Sequence, residues 1–462
     1  MFIKETIAAI ATPMSSSGIG IIRISGENAL DIVDKIYLSK NRNKIISQQK
    51  SHTIHYGFIV DNEEVIDEVL VSIMRGPNSY TGEDTIEVNC HGGIFVMQKV
   101  LQLITKCGAR PAEPGEFTKR AFLNGKMDLS QAEAVMDVID SKNNYALQSS
   151  MSQLKGNVQS KINEVRETII YHTAFIETAL DDPEHISIDG YSDELKVVTL
   201  EMVSKLKRLL DTADDGRIIK EGIQTVIVGK PNAGKSSLLN ILVGVDRAIV
   251  TDIAGTTRDI LEESINLNGI TLNIVDTAGI RDTADIVEKM GVDRAKQYAN
   301  KADLLMFVVD SSRELDENDK QIFDIIEDKK AVILLNKTDL EQVISIDNLE
   351  QLGVPKHVPV IPISAKNNIG IKDLENKVKE MFFHGELDFN DEIYITNMRH
   401  KVALQSAYDS LNKVLESIEL GLPEDFYSID LLDAYEALGT IIGETIGEDL
   451  VNEIFSKFCM GK

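Results

Sequence analysis

The chain has 462 residues, enough for two to four domains with cores of their own. Its 43% apolar and 26% charged content are those of a soluble globular protein, and a formal net charge of −26 argues against broad binding to a nucleic-acid backbone. Cys90, Cys107 and Cys459 are an odd count without Cys-x-x-Cys spacing, which argues against a disulfide framework or a cysteine zinc site and for a reducing cytoplasm. Neither a signal region nor an apolar run of about 18 residues is visible, so neither secretion nor a membrane span is expected.

Residues 1–119 read as a small α+β domain. Gly18-Ile19-Gly20-Ile21-Ile22-Arg23-Ile24-Ser25-Gly26 has the β-branched content of a strand with glycines at its ends. Residues 51–60 and 65–74 read as two more strands, with Asp61-Asn62 as the turn between them. Residues 85–89 form another short strand that runs into Cys90-His91-Gly92-Gly93. His91 has no partner ligands at a usable spacing and reads as structural. Residues 94–107 have helical period, and Arg110-Pro111-Ala112-Glu113-Pro114-Gly115 is a loop near a domain edge.

Residues 120–221 read as helical. Leu129, Ala132, Val135, Met136 and Ile139 repeat at helical spacing, as do Ile162, Val165, Ile169 and Ile170. Asp181-Asp182-Pro183-Glu184 is a break, and a helix over 195–210 is expected to close at Asp214-Asp215-Gly216. Strands and helices then alternate over residues 222–383, with candidate strands at 225–228, 271–276, 304–310, 332–336 and 360–364. That alternation predicts a doubly wound α/β domain. Residues 384–462 are helical again, with Leu431, Tyr435, Leu438, Ile442 and Ile446 as an apolar stripe. The simplest topology is one helical bundle interrupted by an inserted α/β domain; the alternative is two unrelated helical segments.

Within the α/β stretch, an apolar strand leads into Gly229-Lys230-Pro231-Asn232-Ala233-Gly234-Lys235-Ser236-Ser237 and then into a helix. Strand, glycine loop, Gly-Lys-Ser and helix make a phosphate-binding loop. Gly229 and Gly234 let backbone N–H groups converge on phosphate oxygens, and the helix N-terminus adds partial positive charge. Lys235 is placed to reach the β- and γ-phosphates and Ser236 to hold Mg²⁺. Four further elements follow in the order a GTPase requires. Thr251-Asp252-Ile253-Ala254-Gly255-Thr256-Thr257-Arg258-Asp259 is switch-like, with a threonine hydroxyl able to complete Mg²⁺ coordination. Asp276-Thr277-Ala278-Gly279 follows a strand; its carboxylate can reach Mg²⁺ through water, and its glycine N–H the γ-phosphate. Asn336-Lys337-Thr338-Asp339 offers a carboxylate to the paired N–H donors of guanine, which adenine lacks. Ser364-Ala365-Lys366 can meet the guanine oxygen through backbone N–H. Each motif is weak alone, but all five, ordered and at strand carboxyl ends, read as a guanine-nucleotide site.

Ile280 stands where many such enzymes carry a water-orienting glutamine, so another polar group must position water or hydrolysis must be slow. Arg281, Asp282 and Glu288 are candidates.

The domain order, the Gly-Thr-Thr-Arg-Asp of the switch and the final Cys459-Met460-Gly461-Lys462 resemble the MnmE (TrmE) family of tRNA-modification GTPases over essentially the whole chain. The resemblance implies K⁺ in the role of an arginine finger, held by Asn232, Thr251, Ile253 and Thr256, and Mg²⁺ held by Ser236 and Thr257. It makes Glu288 the catalytic glutamate, acting through a bridging water; by itself Glu288 reads as a solvated helix residue. It implies an N-terminal domain that dimerises and binds a 5-formyl- or methylene-tetrahydrofolate through Arg23, Glu87, Lys126 and Lys462. A carboxylate suits a pterin's amino-pyrimidine face, and basic groups suit its glutamate tail. Without the resemblance, Arg23 and Lys126 read as solvated surface charges. Cys459 reads as a free nucleophile or a frayed thiol, and the resemblance implies a catalytic role for it.

The expected function is thus a K⁺-dependent GTPase acting with a flavoprotein of the MnmG (GidA) type that carries FAD and uses NADH. Together they would place a carboxymethylaminomethyl or aminomethyl group on the wobble uridine of certain tRNAs. The expected protein is a cytoplasmic homodimer that meets tRNA through the complex. Two rivals stand beside it. One is a ribosome-assembly GTPase with the same five motifs, for which no basic appendage is visible. The other is a nucleotide-dependent scaffold without significant hydrolysis, which Ile280 permits.

Overall fold

The computed structural model describes residues 5–40, 44–188, 190–245, 263–267, 269–275, 302–316, 329–346, 357–383 and 393–462, and the single positions 319, 349, 354 and 355. The chain divides into two compact units: Met1–Met136 with Gln153–Tyr171 and Tyr435–Lys462, and Asp137–Ser152 with His172–Ala434.

The first unit is built on a seven-stranded sheet. Its strands are β1 (Ile7–Ile10), β2 (Gly20–Ser25), β3 (Tyr37–Ser39), β4 (Thr53–Asp61), β5 (Glu64–Met74), β6 (Thr85–Cys90) and β7 (Arg110–Pro111), in the order β3-β4-β5-β6-β2-β1-β7. Every pairing is antiparallel except that of β1 with β7. The expected strands at 18–26, 51–60, 65–74 and 85–89 are present. Asn62, at φ 53°, makes the turn between β4 and β5, a conformation asparagine tolerates. β1, β3 and β7 were not anticipated, being too short to show alternation. Helices α1 (Ala29–Asp34) and α2 (Ile94–Lys106) complete the core, where Ile22, Ile24, Val71, Ile86 and Val88 meet Val33, Met97 and Val100.

Further helices contribute to this unit: α3 (Glu116–Leu123), α4 (Leu129–Asp140), α6 (Asn157–Asp181) and α12 (Glu424–Ile442). Helix α13 (Glu448–Ser456) follows. Phe455 and Phe458 pack on Leu129 and Ala132, with Phe122 and Met127 at the margin. Arg166 of α6 stacks 4.1 Å from the Tyr435 ring centroid and pairs with Glu444 at 2.5 Å. Elements far apart in sequence, before and after the α/β stretch, therefore share one core.

The second unit carries a six-stranded sheet of β8 (Ile223–Val228), β9 (Glu263–Leu267), β10 (Ile270–Ile274), β11 (Leu304–Asp310), β12 (Ala331–Asn336) and β13 (Val360–Pro362). Their order is β13-β12-β11-β8-β10-β9, parallel except for β9. All seven residues of β11 are buried, as a continuous apolar run in a central parallel strand requires. Helices α9 (Lys235–Val245) and α10 (Ile371–Phe382) belong to this α/β layer. Around it are α5 (Asn144–Leu154), α7 (Tyr191–Asp211), α8 (Ala213–Glu221) and α11 (Met398–Glu419). Here too helices from both sides of the α/β stretch pair: Lys196 on α7 meets Glu419 on α11 at 3.0 Å.

One boundary differs from expectation. Asp214-Asp215-Gly216 does not close a helix but lies within α8. Gly216 is tolerated there because the Ile395 carbonyl comes so close that an added Cβ would lie 2.3 Å from its oxygen. Among the described residues, no helix is long and apolar enough to cross a membrane.

Candidate functional site

β8 delivers the chain into the phosphate loop, and α9 begins at Lys235. Three loop residues have positive φ: Gly229 at 148°, Asn232 at 63° and Gly234 at 102°. The two glycines are required by close approach. A Cβ on Gly229 would lie 2.4 Å from the Val308 oxygen, and one on Gly234 would lie 2.1 Å from Asn336 Nδ2. Asn336 is thus more than a neighbour of the guanine carboxylate. Its Nδ2 donates to Ala233 O at 2.8 Å, and its Oδ1 accepts from Ala365 N at 3.0 Å. One buried side chain ties the phosphate loop to the Ser364-Ala365-Lys366 turn, so three of the five motifs form one assembly.

Around that tie, Ser364 Oγ donates to Asp339 Oδ1 at 2.7 Å, and this hydrogen bond holds the Asp339 carboxyl below its usual range. Thr338 Oγ1 donates to Ile363 O at 3.0 Å. Lys337, at φ 67°, reaches Asp310 at the end of β11 with Nζ–Oδ2 of 2.6 Å. Burial opposes ionisation of Asp310, but Lys337 and Ser312 outweigh it and keep the carboxyl below its usual range. Lys235 Nζ donates to Gly229 O at 2.6 Å and Lys230 O at 2.7 Å, and burial lowers its pKa. Asn232, Ser236, Ser237 and Lys366 are exposed at the rim, while Ala233 is buried. The remaining nucleotide-site residues read from sequence lie outside the described residues: Thr251, Asp252, Ile253, Ala254, Gly255, Thr256, Thr257, Asp276, Thr277, Ala278 and Gly279. Ile280, Arg281, Asp282 and Glu288 do so as well. Sequence reasoning missed Asp310, whose only signal was its place at a strand's carboxyl end.

A second cluster forms in the first unit. Arg23 and Glu87 are directly opposite across β2 and β6, paired through Nε–Oε1 at 3.0 Å and Nη2–Oε1 at 2.9 Å. Arg23 Nη1 also donates to Gly461 O at 3.1 Å, and its guanidinium lies 5.2 Å from the Tyr80 centroid and 5.7 Å from that of Phe117. The last residues are further held by Gly115 N to Cys459 O at 3.4 Å and Phe117 N to Lys462 O at 3.3 Å. Burial lowers the Lys462 amine's pKa, and Arg23 adds to that. Three residues far apart in sequence, Arg23, Glu87 and Lys462, therefore stand together beside an exposed Cys459 thiol. Lys126 stands apart, with Nζ donating to Pro77 O at 3.0 Å, and no described contact joins it to the other three. Tyr80 and Phe117, which wall the Arg23 guanidinium, were not foreseen. His91 pairs with Asp67 at 2.6 Å, which raises its pKa.

Comparison with known proteins identifies the family. The family model for the MnmE helical domain matches residues 129–459, and that for the GTP-binding protein TrmE N-terminus matches residues 6–126. The tRNA modification GTPase MnmE of Lachnoclostridium phytofermentans is 59% identical over 458 residues, covering 99% of each chain. That of Clostridioides difficile is 49% identical over 462 residues, covering 100% of both. Among solved structures, the G domain of the T. maritima FeoB iron transporter is 26% identical, covering 34% of this chain and 98% of its own, with a TM-score of 0.26. With relatives this similar along their full length, the chain belongs to the MnmE family of tRNA modification GTPases.

Proposed function

We propose that this chain is a K⁺-dependent GTP hydrolase that works with an MnmG-type flavoprotein, itself the carrier of FAD and user of NADH. The pair adds a carboxymethylaminomethyl or aminomethyl group at C5 of the wobble uridine of certain tRNAs, with one carbon drawn from a tetrahydrofolate. The observation that carries the GTPase reading is the single assembly of phosphate loop, Asn336, Asp339 and the Ser364 turn. Asp339, kept ionised, accepts the paired N–H donors of guanine. Lys235 leaves the carbonyls of Gly229 and Lys230 for the β- and γ-phosphates, which restore the charged partner its burial calls for.

The residues fit the expected cations by donor type, with an amide oxygen at Asn232 and a hydroxyl at Ser236 on the loop rim. Asn232, Thr251, Ile253 and Thr256 would hold K⁺, and Ser236 and Thr257 would hold Mg²⁺; these cations neutralise charge on the phosphate oxygens. Glu288 would orient water in place of the glutamine that Ile280 replaces. In the first unit, Arg23, Glu87 and Lys462 offer the carboxylate and cations that a folate's pterin and glutamate ends take, and Lys126, now on the Pro77 carbonyl, would add a further cation. The chain would act as a cytoplasmic homodimer that meets tRNA within the complex.

GTP turnover compared in KCl and NaCl tests the core of this reading. We expect a clear stimulation by K⁺, at least tenfold on the scale of electrostatic transition-state stabilisation, that disappears in Asn232→Ala. Equal, negligible turnover in both salts would leave a nucleotide-dependent scaffold instead.

A further inference from the structure

The phosphate chemistry gives the side chain of Lys230, second residue of the loop, no task. Yet that side chain is only 15% exposed, and its ammonium lies against two carboxylates on the segment after β11: Asp316, and Asp319 at 3.0 Å. Asp319 is 1% exposed. Arg313 faces it with both terminal nitrogens, Nη1–Oδ2 and Nη2–Oδ1 each 3.2 Å, and the Asp316 amide donates to Oδ2 at 3.1 Å. Burying a carboxylate this deep is costly unless cations and donors surround it. One of its two cations comes from the phosphate loop.

The backbone of the same lysine holds the other end of the device. Lys230 O accepts from Lys235 Nζ at 2.7 Å and from Ala233 N at 3.3 Å. A displacement of Lys230 therefore moves the carbonyl on which the phosphate lysine rests.

We propose that the Lys230–Asp319–Arg313 cluster is a positioning device for the phosphate loop. It fixes the loop's second residue against the segment after β11, so that the loop amides and Lys235 face the nucleotide phosphates already ordered. Preorganisation of this kind strengthens binding without a new contact to the ligand. This inference rests on the GTPase reading above.

The sign of one substitution separates positioning from plain electrostatics. Asp319→Asn removes a negative charge near the place a triphosphate would occupy, so Coulomb attraction alone predicts tighter binding. Loss of positioning predicts weaker binding. In the full chain, with fluorescent GDP and GTP analogues, we expect Asp319→Asn to weaken both about tenfold, in the range of coupling between groups of one ion network. We expect KM to rise while kcat at saturating GTP changes little, because ground and transition states lose the same preordering. Lys230→Met should weaken binding similarly and Lys230→Arg should restore most of it. The double variant Lys230→Met with Asp319→Asn should be no weaker than Lys230→Met alone. Binding by Asp319→Asn as tight as, or tighter than, that of the unaltered chain would overturn the proposal, as would losses that multiply in the double variant. Should Asp319→Asn not fold, Lys230→Met and its arginine rescue decide the matter. Amide exchange of residues 229–237 without nucleotide supplies a separate readout, expected to quicken in both single variants; unchanged exchange also overturns the proposal. If the unaltered chain binds no guanine nucleotide, the GTPase reading fails, and this exchange measurement still judges the cluster.

Discussion

In the phosphate loop, nine consecutive residues from the end of β8 into the first turn of α9 supply the chemistry, and two glycines open space for a carbonyl and for Asn336. In the seat of residues 459–462, the groups come from β2, β6 and the start of α3, up to 438 positions away in the chain. Both regions use a glycine at positive φ where another group comes too near for a Cβ: Gly234 at 102° under Asn336, and Gly461 at 84° against Ile10. They differ in what a disturbance can do. The loop is held at both ends by a buried strand and a helix, so a misfit must be absorbed where nucleotide binds. The seat is held by one guanidinium and two amides on one side, so a misfit can be relieved by local release.

That contrast predicts its largest effect at Gly234. In Gly234→Ala the methyl must displace the Asn336 side chain, and the backbone must hold an alanine at φ 102°, a strain of about 1–3 kcal/mol. Losing Asn336 also deprives Ala365 N and Ala233 O of their partner, about 1–3 kcal/mol more. GTP affinity should fall by about a hundredfold or more, since each 1.4 kcal/mol is about tenfold. Titration with a fluorescent GTP analogue checks it. Affinity within a few-fold of the unaltered chain would mean that the loop absorbs strain as easily as the seat.

The next effect tests how firmly α3 supports the seat. Glu116, in its first turn and 3% exposed, accepts from Arg110 at 2.6 Å and Arg120 at 3.0 Å, and from the Glu113 amide at 2.8 Å. Burial opposes its ionisation, but these donors outweigh it and hold the carboxyl below its usual range. A glutamate in an unfolded chain titrates near about pH 4.3. A depressed native value therefore gives stability that is whole above that pH and is lost as pH falls through the lower native value. Glu116→Gln should cost about 2 kcal/mol at neutral pH. That is below the 3–5 typical of a broken buried pair, because Arg120 keeps Glu83 and Arg110 keeps Glu5. Urea unfolding across pH should show the variant's acid limb flattened below about pH 4.3. An unchanged limb would remove Glu116 from the support of the seat.

The same contrast explains what could be read from sequence. A phosphate loop, Asn-Lys-x-Asp and Ser-Ala-Lys are contiguous, because each presents its groups from one strand end. Position along the chain is then enough to find them. That Asn336 joins two of them needs the sheet order, in which β11 lies between β8 and β12. Asp310 and Asp319 carry no local pattern, and their partners come from other motifs. Arg23 and Glu87 pair across β2 and β6, 64 positions apart, and Arg23 alone reads as a surface charge; only the family resemblance joined the two to Lys462. The doubly wound sheet was legible from its continuous apolar runs, whereas β1, β3, β7 and β9 were too short or too irregular to signal. Gly216 was misread as a helix end because glycine also serves where a neighbouring backbone comes close, as Ile395 does.

The smallest effect belongs to the seat itself. In Gly461→Ala an added Cβ would lie 2.6 Å from Ile10 O and 2.8 Å from Ala11 Cα, both backbone atoms at the end of β1. Residue 461 must then leave its place. Arg23 loses the Gly461 carbonyl but keeps Glu87, while Gly115 N and Phe117 N, at the first turn of α3, exchange their partners for water. None of the large side chains of the first core is involved, so the cost is the local strain alone, about 1 kcal/mol. Melting of the chain should move by only a few degrees. Amide exchange over residues 459–462 and at Phe117 should quicken, with residues 229–237 unchanged. Exchange that quickens throughout β1 and β2 would instead make the seat as firmly joined to its sheet as the phosphate loop is to β8.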